Sequence, residues 1–167
     1  MALALAIAAV LLLASGCADR GAEAAVRHSP GSDVYDVPAG DPTMNAAISQ
    51  AQATLDEFAK VLHAPRATQR EFWLKVVLTD GRDYKHVWLA EPFVTDTEVG
   101  GIICNDVEWV SGHELGQPVT LGRDRLADWV YVDRDVLQGG FTIRVLREKM
   151  SGSERAEYDR SVPFRIE

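Results

Sequence analysis

The sequence predicts an α+β domain: an N-terminal amphipathic helix on a small antiparallel sheet or half-barrel of about five strands, with short C-terminal helices. Three observations predict it. A helix start at Asp41-Pro42 is followed by apolar residues at three- and four-residue steps as far as Leu62. Apolar and β-branched runs then alternate with Gly-, Asp- and Pro-containing turns as far as Val132. After Gly139-Gly140 the spacing becomes compatible with helix again.

Each element has its own signal. Asp41 suits an N-cap and Pro42 the first helical position. Met44, Ala47, Ile48, Ala51, Leu55, Phe58 and Leu62 form one apolar stripe that stops near His63, before Pro65. Phe72 to Thr79 is apolar on both faces apart from Lys75, the mark of a central strand. Asp80-Gly81 signals a hairpin, because that pair accepts positive φ. Tyr84 to Val94 is the returning strand, bent or broken at Pro92. Gly100-Gly101 opens a third strand, Ile102 to Asn105; Gly116-Gln117-Pro118 leads to a fourth, Val119 to Leu121; Asp128 to Val132 is a fifth. Residues 141–150 fit either state: Phe141 to Leu146 alternates like a strand, while Ile143, Leu146 and Met150 share a helical face. The glycine pair, as a loop before them, tips the reading towards helix. Ser151 and Glu154 have capping-box spacing, so a second short helix is expected over about 152–160.

The chain ahead of this domain reads as an export signal and a tether. Ala4 to Ala14 is an unbroken apolar run, too short to span a bilayer, which takes about 20 such residues. It ends in Ala14-Ser15-Gly16-Cys17, which resembles a bacterial lipobox, with Ala14 where Leu is more usual and no Lys or Arg ahead of the run. Residues 1–17 are therefore expected to be a lipoprotein signal, with Cys17 lipidated. Two or three acyl chains would hold the mature protein on a membrane. Ala18, not Asp, follows the cysteine, so the expected location is the cell envelope, on the periplasmic face of the outer membrane. Residues 18–40 are rich in Ala, Gly, Asp, Ser and Pro and read as a flexible tether spanning roughly 25–30 Å. Residues 41–167 form the domain. The chain has 2 cysteines, so lipidation of Cys17 leaves Cys104 no partner and packing alone must hold the core.

The formal net charge is −8, and no Lys/Arg cluster interrupts it. A nucleic-acid partner, which needs a basic face, is not expected. Neither is a metal or cofactor: His28, His63, His86 and His113 form no HxH, HxxxH or HExxH pair, and there is no CxxC. Ser111, in Trp109-Val110-Ser111-Gly112-His113, lacks the flanking glycines of a nucleophile elbow. A thiolate at Cys104 would need a cation, which His86 could supply if the strands align. Gly139-Gly140 ahead of a helix could cradle an anion with backbone N–H groups. The more pointed set is polar residues inside apolar segments: Lys75, His86, Asn105, Asp128 and Arg144, with Trp129 beside Asp128. They are the candidate binding residues, either as one structural network or as a shared pocket, because buried charges are costly unless paired. Asp128 and Arg144 are expected to share hydrogen bonds.

Several short runs carry a family resemblance. They are Asp41-Pro42-x-Met44, Phe72-Trp73-Leu74-Lys75, His86-Val87-Trp88, Gly101-x-x-x-Asn105, Gly116-Gln117-x-Val119, Asp128-Trp129-x-Tyr131 and Gly139-Gly140-Phe141-Thr142-x-Arg144. Over roughly residues 41–150 the chain resembles the YegJ-like family, domain of unknown function 2314. The resemblance implies a small α+β domain, sometimes on exported proteins, and no established activity. Where the family tends to have Glu-His-x-Trp, this chain has Lys85-His86-Val87-Trp88.

The function expected from these features is a non-enzymatic envelope module that binds a protein or peptide. Its rivals are a hydrolase using His86 with Cys104 or Asp128, and an inhibitor or immunity-type protein whose acidic face covers a basic active site.

Overall fold

The computed structural model describes residues 41–105, 107 and 110–167. The expectations of a signal, a lipobox and a tether over residues 1–40 lie outside it. The described chain runs α1 (Pro42–Ala53), α2 (Leu55–His63), β1 (Gln69–Thr79), β2 (Tyr84–Val94), β3 (Glu98–Ile103), β4 (Pro118–Gly122), a 3-10 turn (Arg123–Arg125), β5 (Leu126–Asp133), β6 (Val136–Gly139), α3 (Phe141–Lys149) and α4 (Gly152–Ser161). The strands form one sheet in the order β4-β3-β2-β1-β5-β6, all neighbours antiparallel. The sheet is open, with β4 and β6 as its two edges. No helix among the described residues is long and apolar enough to cross a membrane.

The start of α1 follows the local chemistry. The Asp41 side chain accepts from the N–H groups of Thr43 and Met44, and Pro42 sits where a missing N–H costs nothing. The stripe from Met44 to Leu62 is nevertheless two helices, not one. Thr54 breaks it at φ −106°, ψ 9°. The break frees the Ala51 carbonyl, which accepts the Trp129 indole N–H at 3.1 Å; Thr54 Oγ1 takes the same donor at 3.2 Å. An indole buried on β5 thus interrupts a helix that periodicity alone would continue.

β1 is central, as its two apolar faces require. Leu74, Val76 and Leu78 point to one side, where Ala51, Leu55 and Phe58 cover them together with Val87, Leu89, Val99, Ile103, Leu126 and Trp129. Trp73 points to the other side, with Ala90, Val130, Val132, Leu137, Ile143, Val162 and Phe164. The β1–β2 hairpin turns through Asp80–Asp83, with Gly81 at φ +89° and Asp80 Oδ1 accepting from Arg82 and Asp83 N–H. At Pro92 the β2–β3 register slips, with Glu91 at φ +48°, so the strand bulges without ending. β3 begins earlier than its glycines suggest: Gly100 and Gly101 lie inside it. Phe93 and the Val119 carbonyl press on Gly100 so closely that a Cβ there would collide with both.

Where the sequence pattern predicts about five strands, the described residues form six; the additional one is β6, four residues that end on the first glycine of the pair. It pairs with β5 and on its outer side meets the C-terminal segment, where Leu137 N–H donates to the Arg165 carbonyl at 2.9 Å. Residues 141–149 are helix. α4 opens on a full capping box, Ser151 and Glu154 each accepting from the other's backbone N–H.

Candidate functional site

The polar residues singled out by sequence divide between the two faces. Lys75 and Asp128 are direct partners across β1 and β5, and His86 lies two residues along β2 from Trp88, the partner of Lys75. These three share one face of the sheet, which the first turn of α3 meets through Thr142 at Asp128 and Lys75. Trp129, next in the chain to Asp128, points to the opposite face, as strand alternation demands. There it packs among Phe58, Tyr131 and Phe141, with ring centroids 5.3, 6.1 and 5.4 Å away. It is a core aromatic, not part of a shared pocket.

Asp128 has no exposed surface. Its Oδ1 accepts from Trp129 N–H at 2.9 Å and Phe141 N–H at 3.1 Å. Its Oδ2 accepts from Thr142 N–H at 2.8 Å and Thr142 Oγ1 at 2.7 Å. The residue at the N-cap position of α3 is Gly140, at φ +64°, which has no side chain to satisfy the first helical N–H groups. Asp128 does that from the sheet. The anion cradle expected at Gly139-Gly140 therefore exists, and the anion in it is the protein's own carboxylate. Burial pushes this carboxyl up, while Thr142, Lys75 and the backbone N–H groups pull it down.

Lys75 Nζ donates to Thr142 Oγ1 at 3.3 Å and lies 5.6 Å from the centroid of the Trp88 ring. Burial lowers its pKa and Asp128 opposes that. His86 is partly buried and meets Tyr84 edge-on, with centroids 6.2 Å apart. Burial and then the charge of Lys75 lower its pKa to about 4. At neutral pH it is an uncharged imidazole, unable to act as the cation that would ionise a thiol.

Arg144 shares no hydrogen bond with Asp128, contrary to the sequence expectation, although the Asp128 charge acts on it and opposes the lowering of its pKa by burial. Its guanidinium donates to the carbonyls of Gly139 at 3.1 Å and Leu137 at 3.0 Å, and to Glu167 O at the C-terminus. It ties α3 to β6 and to the end of the chain. Asn105, 3 % exposed, accepts the Trp88 N–H on Oδ1 at 2.6 Å and so extends the β2–β3 ladder just past the end of β3. Cys104 lies beside Trp88, its N–H donating to that carbonyl at 2.9 Å.

The structure thus brings together Lys75, His86 and Asp128, and sets Trp129, Asn105 and Arg144 to separate structural tasks. Sequence reasoning missed Thr142, which bridges Lys75 to Asp128; its place just after the glycine pair was the available signal. Ser111, read as loop polarity, is exposed and donates its N–H to Asp80 at 3.1 Å, pinning the loop to the hairpin. Among the described residues no group of three or more His, Cys, Asp or Glu side chains could hold a metal ion.

Comparison with known proteins agrees with this picture of a small domain without an assigned chemistry. Residues 41–165 match the family model described as an uncharacterized protein conserved in bacteria, DUF2314. A putative ankyrin repeat protein of Neisseria meningitidis serogroup B, NMB1133/NMB1171, is 28 % identical over 136 residues, covering 77 % of this chain and 54 % of its own. Uncharacterized protein YegJ of Escherichia coli K12 is 31 % identical over 100 residues, covering 60 % of this chain and 64 % of its own. The chain therefore spans less than two thirds of either relative. No solved structure matches it. The family match extends over the whole described fold, from the Asp41 cap to the C-terminal segment on β6, and the chain belongs to the YegJ-like DUF2314 family.

Proposed function

We propose that this protein is a lipid-anchored module of the bacterial cell envelope that binds a protein or peptide and catalyses no reaction. The observation that carries the reading is the contrast between the two edges of the sheet. The β6 edge is closed by the chain's own C-terminal segment, whereas β4 has no strand on its outer side among the described residues. An open edge is a template for strand addition, and proteins that do not use one usually blunt it with charge or cover it. β4 reads Pro-Val-Thr-Leu-Gly, with no charged residue.

The polar cluster supports the non-catalytic part of the reading. A general base or nucleophile needs a free lone pair near a substrate. The Asp128 lone pairs are taken by α3 and by Trp129 N–H. A hydrolase pairing His86 with Asp128 lacks a free acceptor in this geometry, and one pairing His86 with Cys104 lacks the cation a thiolate needs, because His86 is uncharged at neutral pH. The acidic inhibitor or immunity-type protein is a special case of binding and shares its test.

The anchor rests on Cys17 and the small residues before it. The chain has 2 cysteines, so a thioether at Cys17 leaves Cys104 as the one thiol. We take the thioether to be the mature state. Intact mass and thiol titration of protein recovered from membranes decide it. The expected result is an acylated N-terminus with one free thiol, lost to soluble or unprocessed protein in Cys17→Ser; an unacylated, thiol-free chain would refute the anchor. The binding module is tested by mild crosslinking in the envelope, where a defined complex is expected and a monodisperse, partnerless protein would count against it.

A further inference from the structure

The register of β4 determines which of its backbone groups are free. β3 and β4 pair as Glu98↔Gly122, Val99↔Leu121, Gly100↔Thr120, Gly101↔Val119 and Ile102↔Pro118. One step further, Ile103 N–H donates to the Gln117 carbonyl at 3.0 Å. In an antiparallel ladder, alternate residues turn their N–H and C=O towards the partner. The Gln117 carbonyl, Val119 and Leu121 therefore face β3, and Pro118, Thr120 and Gly122 face away from it. Pro118 fits that pattern, since an outward position does not need its missing N–H. Thr120 is left with an outward donor and an outward acceptor, between the carbonyl of Pro118 and the N–H of Gly122. The side chains around these groups are open: Pro118 and Thr120 are exposed, while Val119 and Leu121 lean on the core beneath α1 and α2.

The surroundings of this edge are acidic. Glu98 lies across from Gly122, Asp96 precedes it in the turn before β3, and Glu114 comes just before the strand. All three are exposed, and among the described residues none of them forms an ion pair. Asp124 holds Arg125 only at 3.7 Å. Arg123 is committed to the Asp56 carboxylate and donates to the Asp96 carbonyl at 3.4 Å, leaving the Asp96 carboxylate without an ion pair. With a net charge of −8, such an edge repels a second copy of the chain and any acidic segment.

We infer that β4 takes an extended, positively charged peptide segment as a seventh strand, paired through the backbone of Thr120 and flanked by Glu98, Asp96 and Glu114. This rests on the binding-module reading and adds to it the place and the chemistry of the partner. Alternating Lys or Arg side chains would lie towards the carboxylates, while the backbone bonds make the recognition tolerant of the intervening residues.

The test uses the full mature chain in detergent and two capped ten-residue peptides, one alternating Lys with Thr and one alternating Glu with Thr. The Lys peptide should bind at least tenfold more tightly than the Glu peptide, weaken at 0.5 M salt, and raise hydrogen-exchange protection at Thr120 and Gly122. Thr120→Pro removes the outward N–H and should weaken binding tenfold or more with an unchanged melting curve. Exchange mapping on the unaltered chain answers the same question should that variant fail to fold. Equal binding of both peptides with protection at β4 would overturn the charge inference and leave strand addition standing. Binding without protection at β4, or without loss in Thr120→Pro, would overturn the edge as the site while leaving a binding module. Self-association through β4 would overturn the identity of the partner, and binding of neither peptide would overturn the inference whole.

Discussion

Beneath α1 and α2 the sheet presents Leu74, Val76, Leu78, Val87, Leu89 and Ile103 to Leu55 and Phe58, and its buried cluster contains no charged side chain. Across the same strands, beneath α3, Lys75, His86 and Asp128 sit among Trp73, Val130 and Val132. The first face is held by area and shape, which are tolerant of direction. The second is held by directed bonds from one carboxylate, which are not. The two faces should therefore fail differently: one in proportion to the volume removed, the other when a single acceptor is lost, and only the second with a dependence on pH.

The largest effect is expected at Asp128. Asp128→Ala strips acceptors from Trp129, Phe141 and Thr142 and leaves Lys75 without its charge partner. Breaking a buried charge arrangement in this way costs about 3–5 kcal/mol. Urea unfolding at neutral pH measures it, and a loss below about 1 kcal/mol would show that α3 docks by apolar contact alone. If the cost lies mainly in the stranded ammonium, adding Lys75→Met to Asp128→Ala should restore part of it.

Phe58→Ala tests the other face. Phe58 is fully buried and touches Phe72, Trp129 and Tyr131, with ring centroids 6.1, 5.3 and 6.4 Å away. The expected cost is about 3–4 kcal/mol from lost transfer energy and residual cavity. Its size should be the same at pH 5 and pH 8. A pH-dependent cost would mean that the two faces are coupled through the sheet, and the contrast between them would fail.

A smaller effect separates backbone from side chain at the join between the faces. Gly139 has φ +68°, and a Cβ there would collide with the Trp129 carbonyl and indole ring. Gly81 has φ +89°, but open space surrounds the position of its Cβ. Gly81→Ala should cost about 1–2 kcal/mol for its φ alone, and Gly139→Ala, which adds the collision with Trp129, about 3 kcal/mol. Equal costs in thermal unfolding would show that φ alone matters and that Trp129 moves aside freely.

What can be read from the sequence follows the distance over which each feature is determined. The Asp41 cap, the Ser151–Glu154 box, the Asp80-Gly81 hairpin and the centrality of β1 depend on residues a few positions apart, and all are present. The break at Thr54 depends on Trp129, and the cap of α3 depends on Asp128 in place of a residue beside Gly140. Neither shows in any local window. β6 is invisible there too, because its four residues gain strand character only from β5 on one side and the C-terminal segment on the other. The same limit explains the candidate site. Lys75, Asp128 and Arg144 stand out in the sequence as polar groups in buried segments, but polarity does not reveal the partner. Asp128 goes to Thr142 and backbone N–H groups, and Arg144 to carbonyls.

The sharpest test of the contrast is the titration of His86. Its pKa falls from 6.5 to about 4, through burial and then the neighbouring Lys75 charge. A histidine depressed in the folded state is protonated in the unfolded chain first, so acid favours unfolding. No stability is lost above pH 6.5; it falls as the pH drops from 6.5 towards about 4, and the loss levels off below that. A tenfold change in proton affinity corresponds to about 1.4 kcal/mol, and partial exposure of the ring reduces the whole effect to about 1–2 kcal/mol. Other groups slope over different ranges. Asp80, held down to about 2 by the backbone N–H groups of Asp83, Arg82 and Ser111, loses its contribution only as the pH falls below 3.8. Subtracting the stability curve of His86→Gln from that of the unaltered protein should isolate the imidazole. The difference should be flat above pH 6.5 and turn against the unaltered protein between 6.5 and 4. In Lys75→Met the histidine loses its charged neighbour, so the fall should be smaller and end at higher pH. A difference curve that stays flat from pH 7 to 4 would mean that His86 is solvated in the folded protein, and that the face beneath α3 is not dry enough at β2 to hold a charge-sensitive cluster.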